Sequence, residues 1–100
     1  MLPPTEIGFA ADHPTASGHF PGNPIIPGAV LLDEVLRALG DDTGAVVIRA
    51  AKFFHPLRPG EAMRVSFQPG AGDVVKFECH RTLGDILLVS GSIETGTSAA

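Results

Sequence analysis

Tyrosine and tryptophan are absent from the 100 residues, and six phenylalanines supply all the aromatic rings. Stacking platforms for single-stranded nucleic acid are therefore sparse. Seven Lys and Arg against eleven Asp and Glu leave a net charge of −4, which argues against non-specific binding to a phosphate backbone. The one cysteine, Cys79, excludes an intramolecular disulfide and fits a reducing compartment. No apolar run exceeds four residues, as at 29–32, far short of the roughly 20 that span a bilayer. Residues 1–6 hold neither a basic residue nor an apolar stretch, so no secretory signal is expected. Together these absences predict a cytoplasmic protein with no membrane and no nucleic-acid partner.

What is present is a core-forming composition. Hydrophobic residues make up 44% and charged residues 18%, enough for a packed core and too apolar for a disordered chain. Twelve Gly and nine Pro exceed the roughly 12 per hundred of average usage without a collagen-like period. They mark tight turns and close backbone approaches. The length predicts one domain over 1–100, with no linker or internal repeat and with loose ends at about 1–5 and 96–100.

The chain divides into a few segments. Residues 7–11 are a short apolar run that reads as a strand. Residues 12–26 follow without helix or strand pattern, rich in Gly and Pro at Pro14, Gly18, Pro21, Gly22 and Pro24, and the prolines stiffen them. Compact domains rarely carry so long a loop unless it has a function or is disordered. Pro27 opens a helix that Gly40 ends, with only Asp33, Glu34 and Arg37 polar in its body. A helix so apolar should be buried on most sides. From residue 43 the period changes to two. Strands are expected over 45–54, 62–67, 75–79 and 86–94, linked as antiparallel hairpins. An antiparallel sheet wrapped around one helix would bury both.

Chemistry is concentrated in the loop and the helix. The first N–H groups of a helix are unpaired and carry its positive dipole end. A carbonyl oxygen beside Gly28 would be polarised there, although Pro27-Gly28 also suits a plain helix start. Asp33, inside an apolar helix, would have a raised pKa and serve as a general acid. The alternative is an ion pair with Arg37, four residues on along the same face. Glu34 points about 100° away, where a solvated residue is the default. His19 is a candidate base near neutral pH. His13, His55 and His80 lack metal-ligand spacing, so no metal is expected. Cys79 alternates with core residues and reads as a small buried hydrophobe.

The segment His19-Phe20-Pro21-Gly22-Asn23-Pro24-Ile25-Ile26-Pro27-Gly28, followed by Asp33, resembles the active-site segment of the beta-hydroxyacyl-acyl-carrier-protein dehydratases. A second segment, Lys52-Phe53-Phe54-His55-Pro56-Leu57-Arg58-Pro59-Gly60-Glu61, resembles the strand and turn that follow the helix in that family. The resemblance covers most of residues 18–94. It implies the α+β hot-dog fold, an antiparallel sheet around one long central helix. It makes His19 the catalytic histidine and Asp33 the catalytic acid. Gly28 becomes the donor to the thioester carbonyl, and Ile25 a loop position whose backbone helps to hold the histidine. Phe20, Pro27 and Arg37 support the site. The implied reaction dehydrates 3-hydroxyacyl thioesters, on acyl carrier protein or coenzyme A, to trans-2-enoyl thioesters in fatty-acid-like or polyketide-like biosynthesis. No cofactor is implied. The implied assembly is a homodimer whose site takes the histidine and the acid from different subunits.

Three features depart from the family pattern. Arg37 stands where the dehydratases usually carry Gln, and a cation there would hold Asp33 ionised. That would suit water activation in a hot-dog thioesterase. Only 18 residues precede His19, fewer than is usual, which motivates a third reading as a non-catalytic acyl-thioester-binding subunit. The chain is acidic, so a docking face for acidic carriers would need Arg58, Arg64, Lys76 and Arg81 to cluster.

Overall fold

Alternation of apolar and polar residues puts one face of each long strand into the core. The computed structural model describes residues 4–10, 25–40 and 46–95. Its elements are β1 (Thr5–Gly8), α1 (Gly28–Leu39), β2 (Val46–Phe53), β3 (Ala62–Pro69), β4 (Val74–Arg81) and β5 (Ile86–Thr95). The strands form one antiparallel sheet in the order β1-β3-β4-β5-β2. In β3, Met63, Val65 and Phe67 are buried, while Arg64, Ser66 and Gln68 face outward. The inner residues line up across the ladders. Val65 pairs with Cys79 and Cys79 with Val89, while Phe67 pairs with Phe77 and Phe77 with Gly91.

The helix lays Leu31 and Val35, one turn apart, on this inner face, where both are buried with Leu57, Met63, Leu88 and Ile93. Its opposite face is exposed at Ala29, Asp33 and Arg37. The expected burial on most sides therefore does not hold within one chain. Leu32 and Leu36 are only half-buried, and the acid-bearing stripe is wet. Pro27 is the N-cap, one residue ahead of its expected place as the first helical residue, and Gly40 with φ 113° closes the helix by donating to the Arg37 carbonyl.

Two further expectations change. Thr5, placed among the loose ends, opens β1 opposite Val65, and β1 ends at Gly8 instead of running to residue 11. The link from β2 to β3 is not a hairpin, since β2 pairs with β5 and β3 lies between β1 and β4. Pro56 and Pro59 cannot donate to a ladder, so the connection leaves the β2 edge and crosses the end of the sheet. The fully buried Leu57 anchors that crossing.

Candidate active site

Helix α1 begins without a side-chain cap. The Pro27 carbonyl accepts from Val30 N at 3.0 Å and Leu31 N at 3.3 Å. The N–H groups of Gly28 and Ala29 have no partner among the described residues. This is the positive end of the helix dipole. Gly28 lines an open, largely apolar cleft of about 450 Å³ with Ile25, Leu31, Phe53, Phe54 and His55. The loop strand is tied to the far wall by Ile26 N donating to the Leu57 carbonyl at 2.7 Å. Ile25 and Pro27, on either side of Ile26, are half-buried.

Phe53 decides the shape of the cleft. A Cβ on residue 28 would stand 2.8 Å from both Cε1 and Cζ of its ring. The close approach expected of glycine for a ligand is thus occupied by an aromatic edge. Phe53 and Phe54 are 49% and 43% exposed, an unusual pair of half-wet rings at the end of an edge strand. His55 lies on the same lip. Its Nδ1 donates to the Leu87 carbonyl at 3.1 Å. Composition and spacing did not single out His55 as a site residue. Its only signal is its place directly after Phe53-Phe54 in the second family-like segment.

Asp33 does not open onto this cleft. It lines a smaller one of about 230 Å³ with Gly8, Phe9, Val30, Glu34 and Arg37, between the helix and the end of β1. Among the described residues the two clefts share no lining residue. Asp33 is exposed and makes no ion pair among the described residues. The expected burial of its carboxylate is therefore not met within one chain, and neither is its pairing with Arg37. The Arg37 guanidinium instead lies 3.6 Å from Glu34. Three residues along a helix bring these side chains together as readily as four. Glu34 is correspondingly not a solvated default, since its side chain is only 20% exposed.

His19 and Phe20 lie outside the described residues. No group of three or more His, Cys, Asp or Glu suited to a metal occurs among the described residues. Cys79 is fully buried, and burial pushes its thiol up to about 12. The supposed basic patch is largely spent on partners. Arg64 is bound to Asp85 and Arg81 lies 3.6 Å from Glu61, which leaves Arg58 and Lys76 without ion pairs among the described residues. Lys52 has its Nζ 5.5 Å from the Phe54 ring centroid. The helix is not long and apolar enough to cross a membrane.

Comparison with known proteins bears on the family and the fold. The model of the ApeI-like family, described as ApeI dehydratase, matches residues 4–91. The chain is 29% identical over 98 residues to a 3-hydroxyacyl-acyl-carrier-protein dehydratase FabZ of Ehrlichia canis, covering 82% of this chain and 66% of that one. It is 35% identical over 85 residues to a protein of the same name from Rhizorhabdus wittichii, covering 70% and 54%. The chain thus spans about half to two thirds of the length of the curated relatives it matches. A structure of the dehydratase heterocomplex ApeI:P from Xenorhabdus doucetiae superposes with a TM-score of 0.73 at 22% identity, covering 89% of this chain and 81% of that one. An uncharacterized protein from Erwinia carotovora subsp. atroseptica superposes with a TM-score of 0.71 at 28% identity, covering 89% and 77%. The shared architecture is the α+β hot-dog fold.

Proposed function

The chain belongs to the ApeI-like dehydratase family, and from that premise we propose that it dehydrates 3-hydroxyacyl thioesters to trans-2-enoyl thioesters. The observation that carries the reading is the uncapped amino terminus of α1 at Gly28, opening onto an apolar cleft. The acyl chain lies in that cleft, and the thioester oxygen meets the Gly28 N–H. Neutral His19 removes the proton next to the carbonyl. Charge that develops on the oxygen is held by the amide and the helix dipole. Asp33 delivers a proton to the departing hydroxyl.

Within one chain Asp33 faces a different cleft from Gly28. In this reading the acid that completes a site comes from a second copy. This supports a homodimer with two shared sites. β2 is an edge strand with Val47 55% exposed, and a second β2 laid along it would satisfy its free backbone groups. The substrate arrives on acyl carrier protein or coenzyme A, in the cytoplasm, within fatty-acid-like or polyketide-like biosynthesis. The thioesterase alternative rested on Arg37 holding Asp33 ionised. Arg37 reaches Glu34 instead, so no observation favours hydrolysis.

The test is to incubate the protein with a 3-hydroxyacyl thioester and follow enoyl absorbance and free thiol together. Enoyl without thiol is expected. Thiol without enoyl would replace dehydration by hydrolysis, and neither product across chain lengths would leave only a binding role.

A further inference from the structure

We infer that Phe53 is the specificity-determining residue of the acyl cleft: its ring, seated against Gly28, sets how much acyl chain fits beside the amide that receives the thioester oxygen. The identity of the occupant rests on the dehydratase reading. The position of the ring does not.

Three observations meet at this residue. The first is contact. A Cβ at residue 28 would stand 2.8 Å from two ring carbons of Phe53 and 3.5 Å from a third. Carbon atoms in ordinary contact are about 3.5–4.0 Å apart, so the ring edge fills space that only glycine leaves open. Residue 28 is therefore fitted to Phe53 as well as to a ligand.

The second is exposure on the wrong face. Phe53 pairs with Val89, and the pairing of Val89 with Cys79 and of Cys79 with Val65 continues that row across the core side of the sheet. Those three are fully buried, yet Phe53 is 49% exposed. A large ring on the core side that is half in water is only partly covered by the described residues, and it lines the open cleft.

The third is anchorage. Phe54 N donates to the Leu88 carbonyl at 2.8 Å, and Ile26 N to the Leu57 carbonyl at 2.7 Å. Both walls of the cleft are thus held by backbone bonds. Turning the Phe53 side chain is the low-cost way to widen the cleft, because its far end is flexible while the backbone is not. A chain that stops short of the ring enters freely. A longer chain must rotate the ring out of its contact with Gly28 first.

The test measures binding apart from chemistry. Non-reactive acyl-pantetheine amides with straight chains of graded length are titrated into wild type, Phe53→Ala and Phe53→Leu by calorimetry. Dehydration of the matching 3-hydroxyacyl thioesters is followed on the same proteins, with circular dichroism as the check on folding. Wild-type affinity is expected to rise about fourfold for each methylene buried and then to level off. In Phe53→Ala the rise continues for several further carbons, and Phe53→Leu lies between. The same length profile in all three proteins overturns the selector role, and dehydration by wild type would show the reading itself intact. A shifted profile without dehydration by any of them overturns the reading and leaves Phe53 as the selector of bound chains. Failure of every amide to bind overturns both.

Discussion

Arg37 reaches back to Glu34, with Nη1 3.6 Å from Oε1, and leaves Asp33, on the exposed stripe of α1, without an ion pair among the described residues. The cation expected to restrain the acid is spent on its other neighbour.

Replacing Arg37 by Gln should therefore do little. The Arg37 side chain is 74% exposed, and an exposed helical pair contributes about 0.3–0.5 kcal/mol at most. The urea midpoint is expected to shift only slightly, and the pH–rate profile of dehydration to keep its shape. A displaced acidic limb would show that the guanidinium acts on Asp33 after all.

Asp33→Asn should separate folding from chemistry. The carboxylate is exposed and makes no ion pair among the described residues, so stability should stay within about 0.5 kcal/mol of wild type. Loss of the acid should lower dehydration by about a hundredfold or more. His19→Ala should be equally inactive. Mixing the two inactive variants under conditions of subunit exchange should restore part of the activity, because each mixed dimer holds one intact site. No recovery in proven mixed dimers would place base and acid on the same chain.

Gly28→Ala sets two effects against each other. Alanine favours the helix by about 1 kcal/mol, whereas its Cβ would stand 2.8 Å from the Phe53 ring and cost about 1–3 kcal/mol of overpacking. The single variant should be near neutral or less stable. Adding Phe53→Ala removes the crowding, so a double-mutant cycle in urea should show coupling of about 1 kcal/mol. Additive effects would mean that the ring does not rest on residue 28.

Cys79 should be silent toward thiol reagents in the native protein near neutral pH and react once the chain is unfolded. Burial raises its thiol from 9.0 to about 12, so the folded state favours the protonated form. The unfolded thiol loses its proton first as pH rises. The stability due to this group is therefore complete below about pH 9 and is lost progressively toward pH 12. Denaturant midpoints measured across that range should fall in wild type more steeply than in Cys79→Ala.

Much of this was legible in the residues themselves. The two-residue alternation in 62–67 and 75–79 marked buried Met63, Val65, Phe67, Phe77 and Cys79, because a strand shows its faces in strict turn. Gly40 marked the helix end, because a φ of 113° suits glycine. Gly28 stood out as a place of close approach.

What covers Gly28 was not legible. Phe53 lies 25 positions away, and only the β2–β5 pairing carries its ring there. The same holds for His55 on the cleft lip, and for the neighbour that Arg37 selects between two acids almost equally close along the helix. Local patterning carries most of the elements, the buried faces of β3 and β4 and the family-like segments, since these depend on local geometry and on residues a few positions apart. The tertiary structure decided that β2 lies beside β5 instead of β3, that the acid and the Gly28 amide face separate clefts, and that an aromatic edge fills the glycine gap. Each of those depends on distant segments packing against one another, which periodicity along the chain does not encode.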